Sequence, residues 1–422
     1  MRPAPFARGA RDIAELGCKD AAGPVTRDHD MGIRPRIAVP RGTARHDTRE
    51  QDVKSMAAIL ATAGLAASAL AAGHAAAAGE LALVSRGGAH LESQKKAYVE
   101  PYIQASRGSG IVWNESPDDI VAALRAMNAA GNVTWDLVDV VASEALRLCD
   151  EGLAMKIDHD ELLAPAPDGT LPSADFGDLI VSDCFIPEII YSTAFGYRTD
   201  SVPEGAGPPN DICDLWDTET YPGKRSIGKR PVNNMEWALL CDGVPKDRIY
   251  EVLATEDGQN RALAKLDEIR DDVIWSSAEA DTPDLLADGS VFMGSARNGR
   301  LFRLIEERAL PVGMMWDSQV LDLAGWIIPA GLPEARLARV TDFIRFATGT
   351  PRMADLAGYI SHVPARGSSA SLVGTHAELG IDMAPHMPTD PDNAGNTVLH
   401  NYVFWAEHRG EIDARFRAWL AR

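Results

Sequence analysis

Few of the signatures that announce an enzyme or a nucleotide binder occur in this chain of 422 residues. It has no Gly-x-Ser-x-Gly elbow, no His-Glu-x-x-His pair, no Walker loop, and no Gly-x-Gly-x-x-Gly after its first apolar strand. "SRGGAH", which follows that strand, offers only two glycines and is weak as a phosphate loop. There is no Cys-x-x-Cys, so a structural zinc site is not expected. Past the N-terminal region the histidines are scattered, with no pair at helical ligand spacing. His362 and His400 therefore read as surface or core-edge residues rather than ligands. No base converges with an activated nucleophile or metal, so the expectation is a non-enzyme without cofactor or metal.

Basic residues are also in deficit. Lys and Arg number 41 against 61 Asp and Glu, a formal charge of −20. Residues 1–78 hold 11 basic and 8 acidic residues, a net of +3, which leaves −23 on the remainder. A body this acidic argues against nucleic acid and anionic membrane surfaces as partners.

The N-terminal region differs from the rest. Residues 1–54 are rich in Arg, Gly and Pro without an apolar period, and read as an upstream leader or a mis-called start. Residues 55–78 then supply a short Ala-rich apolar run after Lys54, closed by small residues before Gly79, as in a secretory signal peptide. Its centre is too rich in Ala for a good membrane span. Initiation near Val53 or Met56 accounts for its position. The alternative, a long twin-arginine leader, lacks the adjacent arginines. Export to the periplasm is expected, and no Cys follows the signal directly to carry a lipid.

Cys18 falls in the leader, leaving Cys149, Cys184, Cys213 and Cys241. In an exported chain these make two disulfides, and sequence allows three pairings. Nearest neighbours give Cys149 with Cys184 and Cys213 with Cys241.

From Gly79 the chain alternates strand and helix: "ELALVS", then "SQKKAYVEPYIQAS", then "GIVWNES", then "PDDIVAALRAMNAAG". "WDLVDVVA" has the continuous apolar character of a strand covered on both faces. The same grammar recurs through "EIIYSTAFGYR", "KRSIGKR", "NNMEWALLCDGV" and "DGSVFMGSARNGRLFRLIEERAL", and the chain closes on an amphipathic helix, "YVFWAEHRGEIDARFRAWLAR". The expected fold is α/β, with two lobes, each a mainly parallel sheet flanked by helices. Lobe 1 is read as residues 79–195 plus 320–366 and lobe 2 as 196–319 plus 367–422, joined by more than one crossing. That makes a hinge and a cleft, the usual place for a ligand.

Taken in order, "ALVSRGGA", "WDLVDVVASEALRLCDEGLAMKID", "PGKRSIGKR", "WALLCDGV", "DGSVFMGSARNGRLF", "GWIIPAG" and "GYISHVPAR" resemble the periplasmic spermidine/putrescine-binding proteins of ABC importers. The likeness covers residues 80–422. It implies the type II periplasmic binding protein fold, a solute held between lobes by aromatic rings and carboxylates, hinge closure, and delivery by a monomer to a membrane permease.

The family's site positions map unevenly onto this chain. A Trp after the first strand falls on Arg86, followed by Gly87 and Gly88. Polar contacts after "WDLVDVVA" fall near Val141, Ala142 and Ser143, of which Ser143 keeps a polar handle. An acidic pair maps to Arg230 and Asn233, a pocket Trp to Arg297, and a Tyr to Tyr359. At "VLDLAGWIIP" the family's Trp and amine-binding Asp fall on Asp322 and Ala324. The acid is displaced by two residues and so stays on the same strand face. Asp322 is thus the candidate amine ligand, against the bland reading of a solvated turn carboxylate. Asp317 is an alternative that sequence does not separate from it. Arg230 lies in a basic run that reads equally as a solvated face. Trp316 is a candidate wall of the slot, whereas Trp326 belongs to an apolar strand and reads as core.

Arginines gained and aromatics lost favour a zwitterion, such as 4-aminobutyrate or another amino acid, over a bare polycation. The alternatives are a polyamine receptor, or a phosphate receptor using Arg86 and the glycine pair. A ferric site is disfavoured because none of the eight tyrosines is adjacent to another.

Overall fold

In the computed structural model, described for residues 79–106, 110–117 and 119–422, fully buried apolar strands form one mixed sheet. The leader and signal-peptide readings at 1–78 lie outside the described residues. In chain order, β1 is Leu81–Ser85, α1 Gly88–Gln94, β2 Ile111–Glu115, α2 Ile120–Ala129, β3 Leu137–Val141 and α3 Ala142–Asp150. β4 is Ile186–Arg198, β5 Arg225–Gly228, α4 Asn234–Cys241, α5 Glu256–Asp267, β6 Val273–Ser276, β7 Met293–Arg297 and α6 Asn298–Phe302. The chain returns through β8, Val312–Ile327, then α7 at Glu334–Ala347, α8 at Thr350–Ala357, and the closing α9 at Tyr402–Leu420.

The sheet order is β2-β1-β3-β8-β4-β7-β5-β6. β1, β2 and β3 pair in parallel at one end, and β5, β6 and β7 in parallel at the other. Between them β4 and β8 run antiparallel to each other over nearly their whole lengths, from Ile186 opposite Trp326 to Arg198 opposite Val312. "GMMWDSQ" and "AGWIIPAG", read separately in the sequence, belong to this one long strand. β4 and β8 are the two crossings between lobes, and the pairing shifts register at Pro187/Ile189 and Thr193/Phe195. A bulge bends a strand locally. The second shift falls where the two cores meet: Tyr191 belongs to the first core and Phe195 to the second.

The first core includes Leu81, Val138, Ile190, Leu323 and Phe343, with Trp326 buried edge-on to Tyr98 at 5.7 Å between ring centroids. The second includes Phe195, Trp237, Phe404 and Phe416, and a smaller cluster around Leu286, Leu301 and Val312 fills the face beside β7. Met383 and Met387, in a stretch expected to belong to lobe 2, are buried in the first core, with Val373 and Ile381 packed against it. From Val398 onward the chain joins the second core. α9 is capped by Asn401, whose Oδ1 accepts from Phe404 N at 2.9 Å, and it lies against α3 of one lobe and α5 of the other.

The disulfides are Cys149–Cys184 and Cys213–Cys241. With sequence separations of 35 and 28, each removes loop-closure entropy from the unfolded chain worth roughly 3–4 kcal/mol. Reducing them should lower the melting temperature markedly, measured by thermal unfolding with and without reductant. An unchanged melt would show that neither bond contributes.

Candidate functional site

β1 ends at Ser85, and the next three residues turn the chain across the top of the sheet. Gly87 and Gly88 both hold left-handed backbone, with φ of 72° and 60°. A Cβ at Gly88 would come within 2.4 Å of the Arg300 guanidinium, so this glycine lets a side chain of α6 lie flat on the backbone of the opposite lobe. Arg86, Gly87, His90, Arg297, Arg300, Ile360 and His362 line a recess of about 260 Å³ counted out to its mouth.

The charges around the recess are sorted by lobe. On the lobe 1 side, Arg86 pairs with Glu144, whose Oε2 also accepts from Val141 N at 3.1 Å. Burial is the largest influence on Arg86 and opposes its charge, but Glu144 together with Asp139 and Tyr191 outweighs it and the pKa is raised. His90 Nε2 stands 3.3 Å from Asp139 Oδ2 and 3.4 Å from Glu188 Oε2. Burial alone would lower this imidazole, yet the two carboxylates hold it at about 9. Glu188, fully buried on β4, takes the Gln94 amide at 3.1 and 3.3 Å, and burial pushes its own pKa up. Tyr191 and Asp322 are cross-strand partners, and the phenol donates to Asp322 Oδ2 at 2.9 Å. Burial raises the Tyr191 pKa, so the group stays a donor. His400 Nε2 stands 4.0 Å from the same Asp322 oxygen.

Lobe 2 presents the opposite sign. Arg297, at the end of β7, pairs with Glu279 at 3.2 Å and lies 4.5 Å from the Tyr191 ring centroid. Arg230 pairs with the same Glu279 at 2.7 Å. Burial would raise the Glu279 carboxyl, but Arg297 and Arg230 hold it well below the usual range. Arg300 makes no hydrogen bond or ion pair among the described residues. Burial lowers its pKa, against the pull of Glu279 and with the push of Arg297. Arg230 and Arg297 thus share one carboxylate, Glu279, and Arg300 lies in its field without pairing to it. On the lobe 1 side Arg86 and His90 line the recess, each backed by carboxylates: Glu144 behind Arg86, and the buried Asp139 and Glu188 behind His90. The lining itself is cationic, and the carboxylates stand one layer behind it on the lobe 1 side.

The expected site residues divide. Arg86, Gly87, Gly88, Arg297 and Asp322 come together here, and Arg230 reaches the site through Glu279. Ser143 is buried at the start of α3 beside Glu144. Asn233, buried with φ 71°, precedes α4 and does not line the recess. Trp316 packs on the cluster around Leu286 and Leu301, because its stretch of β8 belongs to lobe 2. Tyr359 packs against the first core with the Lys96 ammonium 5.3 Å from its ring centroid. Neither ring walls the recess. Asp317 accepts from Ile212 N, Ser318 Oγ and Asn396 Nδ2 and is occupied in holding loops, whereas Asp322 accepts from the Tyr191 phenol and from Leu323 N. His362 is no core-edge residue: it is 2% exposed, lines the recess, and is kept neutral by burial and nearby cations.

Sequence reading missed His90, Asp139, Glu188, Tyr191, Glu279 and Arg300. Three of these, Asp139, Glu188 and Tyr191, sit inside apolar strands, and a charge in a strand buried on both faces was the available signal.

Residues 97–389 match the family described as bacterial extracellular solute-binding protein. The chain belongs to that family. It is 32% identical over 342 residues to the gamma-aminobutyric acid-binding protein of Pseudomonas aeruginosa, covering 81% of this chain and 91% of that one. A solved GABA receptor is 29% identical with a TM-score of 0.67, covering 81% of this chain and 98% of its own. The periplasmic binding protein MotA of Agrobacterium tumefaciens B6, solved with glucopine, is 25% identical with a TM-score of 0.70, covering 81% and 99%. A spermidine/putrescine receptor of Streptococcus pneumoniae, at 14% identity and a TM-score of 0.56, shares the fold alone. The fold is thus that of the type II periplasmic binding proteins, and the chain is a solute receptor. The resemblance read from the sequence holds at the level of this receptor class, and its narrower polyamine branch is not confirmed. No helix among the described residues is long and apolar enough to cross a membrane.

Substituting Gly88 by alanine in this receptor should displace Arg300 and strain the turn. The left-handed backbone alone costs a β-carbon about 1–2 kcal/mol. We expect weaker solute binding with the Arg86–Glu144 pair intact, read by calorimetry. Unchanged affinity would remove Arg300 from the site.

Proposed function

We propose that this receptor binds a short zwitterion, 4-aminobutyrate or a close ω-amino acid, in the periplasm and delivers it as a monomer to an ABC permease. The observation that carries the reading is the sorting of charge by lobe. A zwitterion placed in the recess sets its carboxylate against Arg297 and Arg300 on the lobe 2 side and its ammonium toward the lobe 1 carboxylates, Asp139 and Glu188 behind His90 and Asp322 beside Tyr191. An Arg fork complements a carboxylate in two parallel hydrogen bonds, and both ends gain from exclusion of water. Because the two ends bind different lobes, the solute stabilises the closed arrangement more than the open one. That differential drives closure about β4 and β8.

The 4-aminobutyrate receptors among the relatives support this reading. A polyamine would bring an ammonium against unpaired guanidiniums at its second end, and phosphate would meet the carboxylates of lobe 1. Both lose what a zwitterion gains. Titration calorimetry of the purified protein with 4-aminobutyrate, putrescine and phosphate tests this. Saturable binding of 4-aminobutyrate, with putrescine at least tenfold weaker, is the expected result, a difference of about 1.4 kcal/mol or more. Putrescine binding as tightly as 4-aminobutyrate would refute it.

A further inference from the structure

His90 lies on α1, Asp139 on β3 and Glu188 on β4, far apart in sequence, yet each contributes a ligand-type atom within 4.8 Å of the others. The carboxylates are more than the local cation can satisfy. Asp139 Oδ2 and His90 Nε2 face each other at ion-pair distance but without hydrogen-bond geometry, and His90 Nδ1 has no hydrogen-bond partner. Asp139 is 1% exposed and Glu188 fully buried, so water does not satisfy them from outside. His362, with its two nitrogens also buried and unpartnered, stands 5.6 Å from His90 between ring centroids.

We propose that His90, Asp139 and Glu188, with His362 as a fourth ligand, form a binding site for a divalent cation of the zinc type. Ligand atoms around a tetrahedral zinc lie about 2.0–2.2 Å from the metal and hence about 3.3–3.6 Å from each other. The separations from His90 Nε2, 3.3 and 3.4 Å, match two edges of such a polyhedron. Two carboxylates and two imidazoles, His90 having released to solvent the proton that the carboxylates otherwise hold on it, balance a doubly charged ion, and a mixed nitrogen and oxygen set suits zinc better than calcium or magnesium. The Gln94 amide donates to Glu188 and is itself held by Ser85 Oγ at 3.0 Å, an outer support that orients the carboxylate. His90 and His362 both line the open recess, which gives the ion its entry path. Ligands drawn from three separate elements leave no sequence spacing to find, so scattered histidines gave no warning.

The test is titration of the solute-free protein with zinc chloride in a non-chelating buffer, beside Asp139→Asn, Glu188→Gln and His90→Gln. One zinc per chain, lost in each variant, is expected. Cobalt(II) in place of zinc should give visible absorption bands with the parent chain that disappear in H90Q, a readout independent of heat. Thermal melts establish which variants are folded, and Lys96→Ala, away from the cluster, should keep full uptake. No uptake by the parent chain, or uptake unchanged in the folded variants, overturns the proposal. Asp139 and Glu188 are also assigned to the solute's ammonium under the proposed function, so zinc and 4-aminobutyrate should exclude each other there; zinc uptake is read without solute and solute binding without zinc, which keeps failure of one distinguishable from failure of the other.

Discussion

Replacing Arg300 by alanine is expected to cost about 2–5 kcal/mol of solute binding, roughly 30- to 4,000-fold in Kd, with little effect on the stability of the solute-free protein. The asymmetry follows from the guanidinium's surroundings. Arg86, Arg230 and Arg297 each have a carboxylate partner, so truncating any of them also breaks an ion pair of the resting molecule. Arg300 has none among the described residues and lies beside Arg297, which repels it. Its removal leaves nothing unpaired until a solute carboxylate arrives. Arg300→Lys should recover only part of the affinity, because an ammonium cannot offer the planar fork. Calorimetric titration with 4-aminobutyrate and a thermal melt without it separate the two effects. A variant that binds normally would place the solute carboxylate elsewhere.

The largest loss of stability is expected from Arg366→Ala. This side chain is fully buried, and Nε donates to Asp175 Oδ2 at 2.5 Å, Nη1 to Thr348 O at 2.6 Å and Nη2 to Ala164 O at 2.8 Å. Asp175 also accepts from Ser368 N and Ser368 Oγ at 2.8 and 2.6 Å, so one ion pair gathers four chain segments. Removing the cation strands a buried carboxylate, at about 3–5 kcal/mol. For a chain of this length that is on the order of a 5–10 °C fall in melting temperature. The double variant Arg366→Met with Asp175→Asn should recover part of the loss, since no charge is then left unpaired. A melt of Arg366→Ala within a degree of the parent would contradict this account. The network also bears on the cleft. Val363 and Pro364 pair with β4, and Ala365 N donates to Glu188 O at 2.8 Å, so the segment anchored by Arg366 holds His362 and Glu188 in register.

How legible this was in the sequence differs between scaffold and site. Strands such as "ELALVS" and "EIIYSTAFGYR" carry their burial in their composition, and the two crossings followed from the alternation of elements. The disulfide pairing followed from proximity along the chain. The place of Met383 and Met387 in the first core did not, because both bury without a periodic element to announce them. The arginines at the ends of β1 and β7 were reached through the site positions of the resembling family. Their partners were not, since Glu144 and Glu279 reach them from other elements. Tyr359 was placed at the site by resemblance and Trp316 as an aromatic near the crossing, and packing takes both rings elsewhere. Arg300 lies three residues beyond Arg297, and nothing along the chain distinguishes it from a solvated helix residue. Only the flat backbone at Gly88, contributed by the opposite lobe, makes it a site residue.

The most direct measurement is a crystal structure of the protein with 4-aminobutyrate bound. The account predicts the solute's carboxylate within hydrogen-bond distance of Arg300 and Arg297, and its ammonium against Asp139, Glu188 or Asp322. A solute lying with its ammonium toward Arg300, or bound outside the recess between Arg86 and His362, would contradict it.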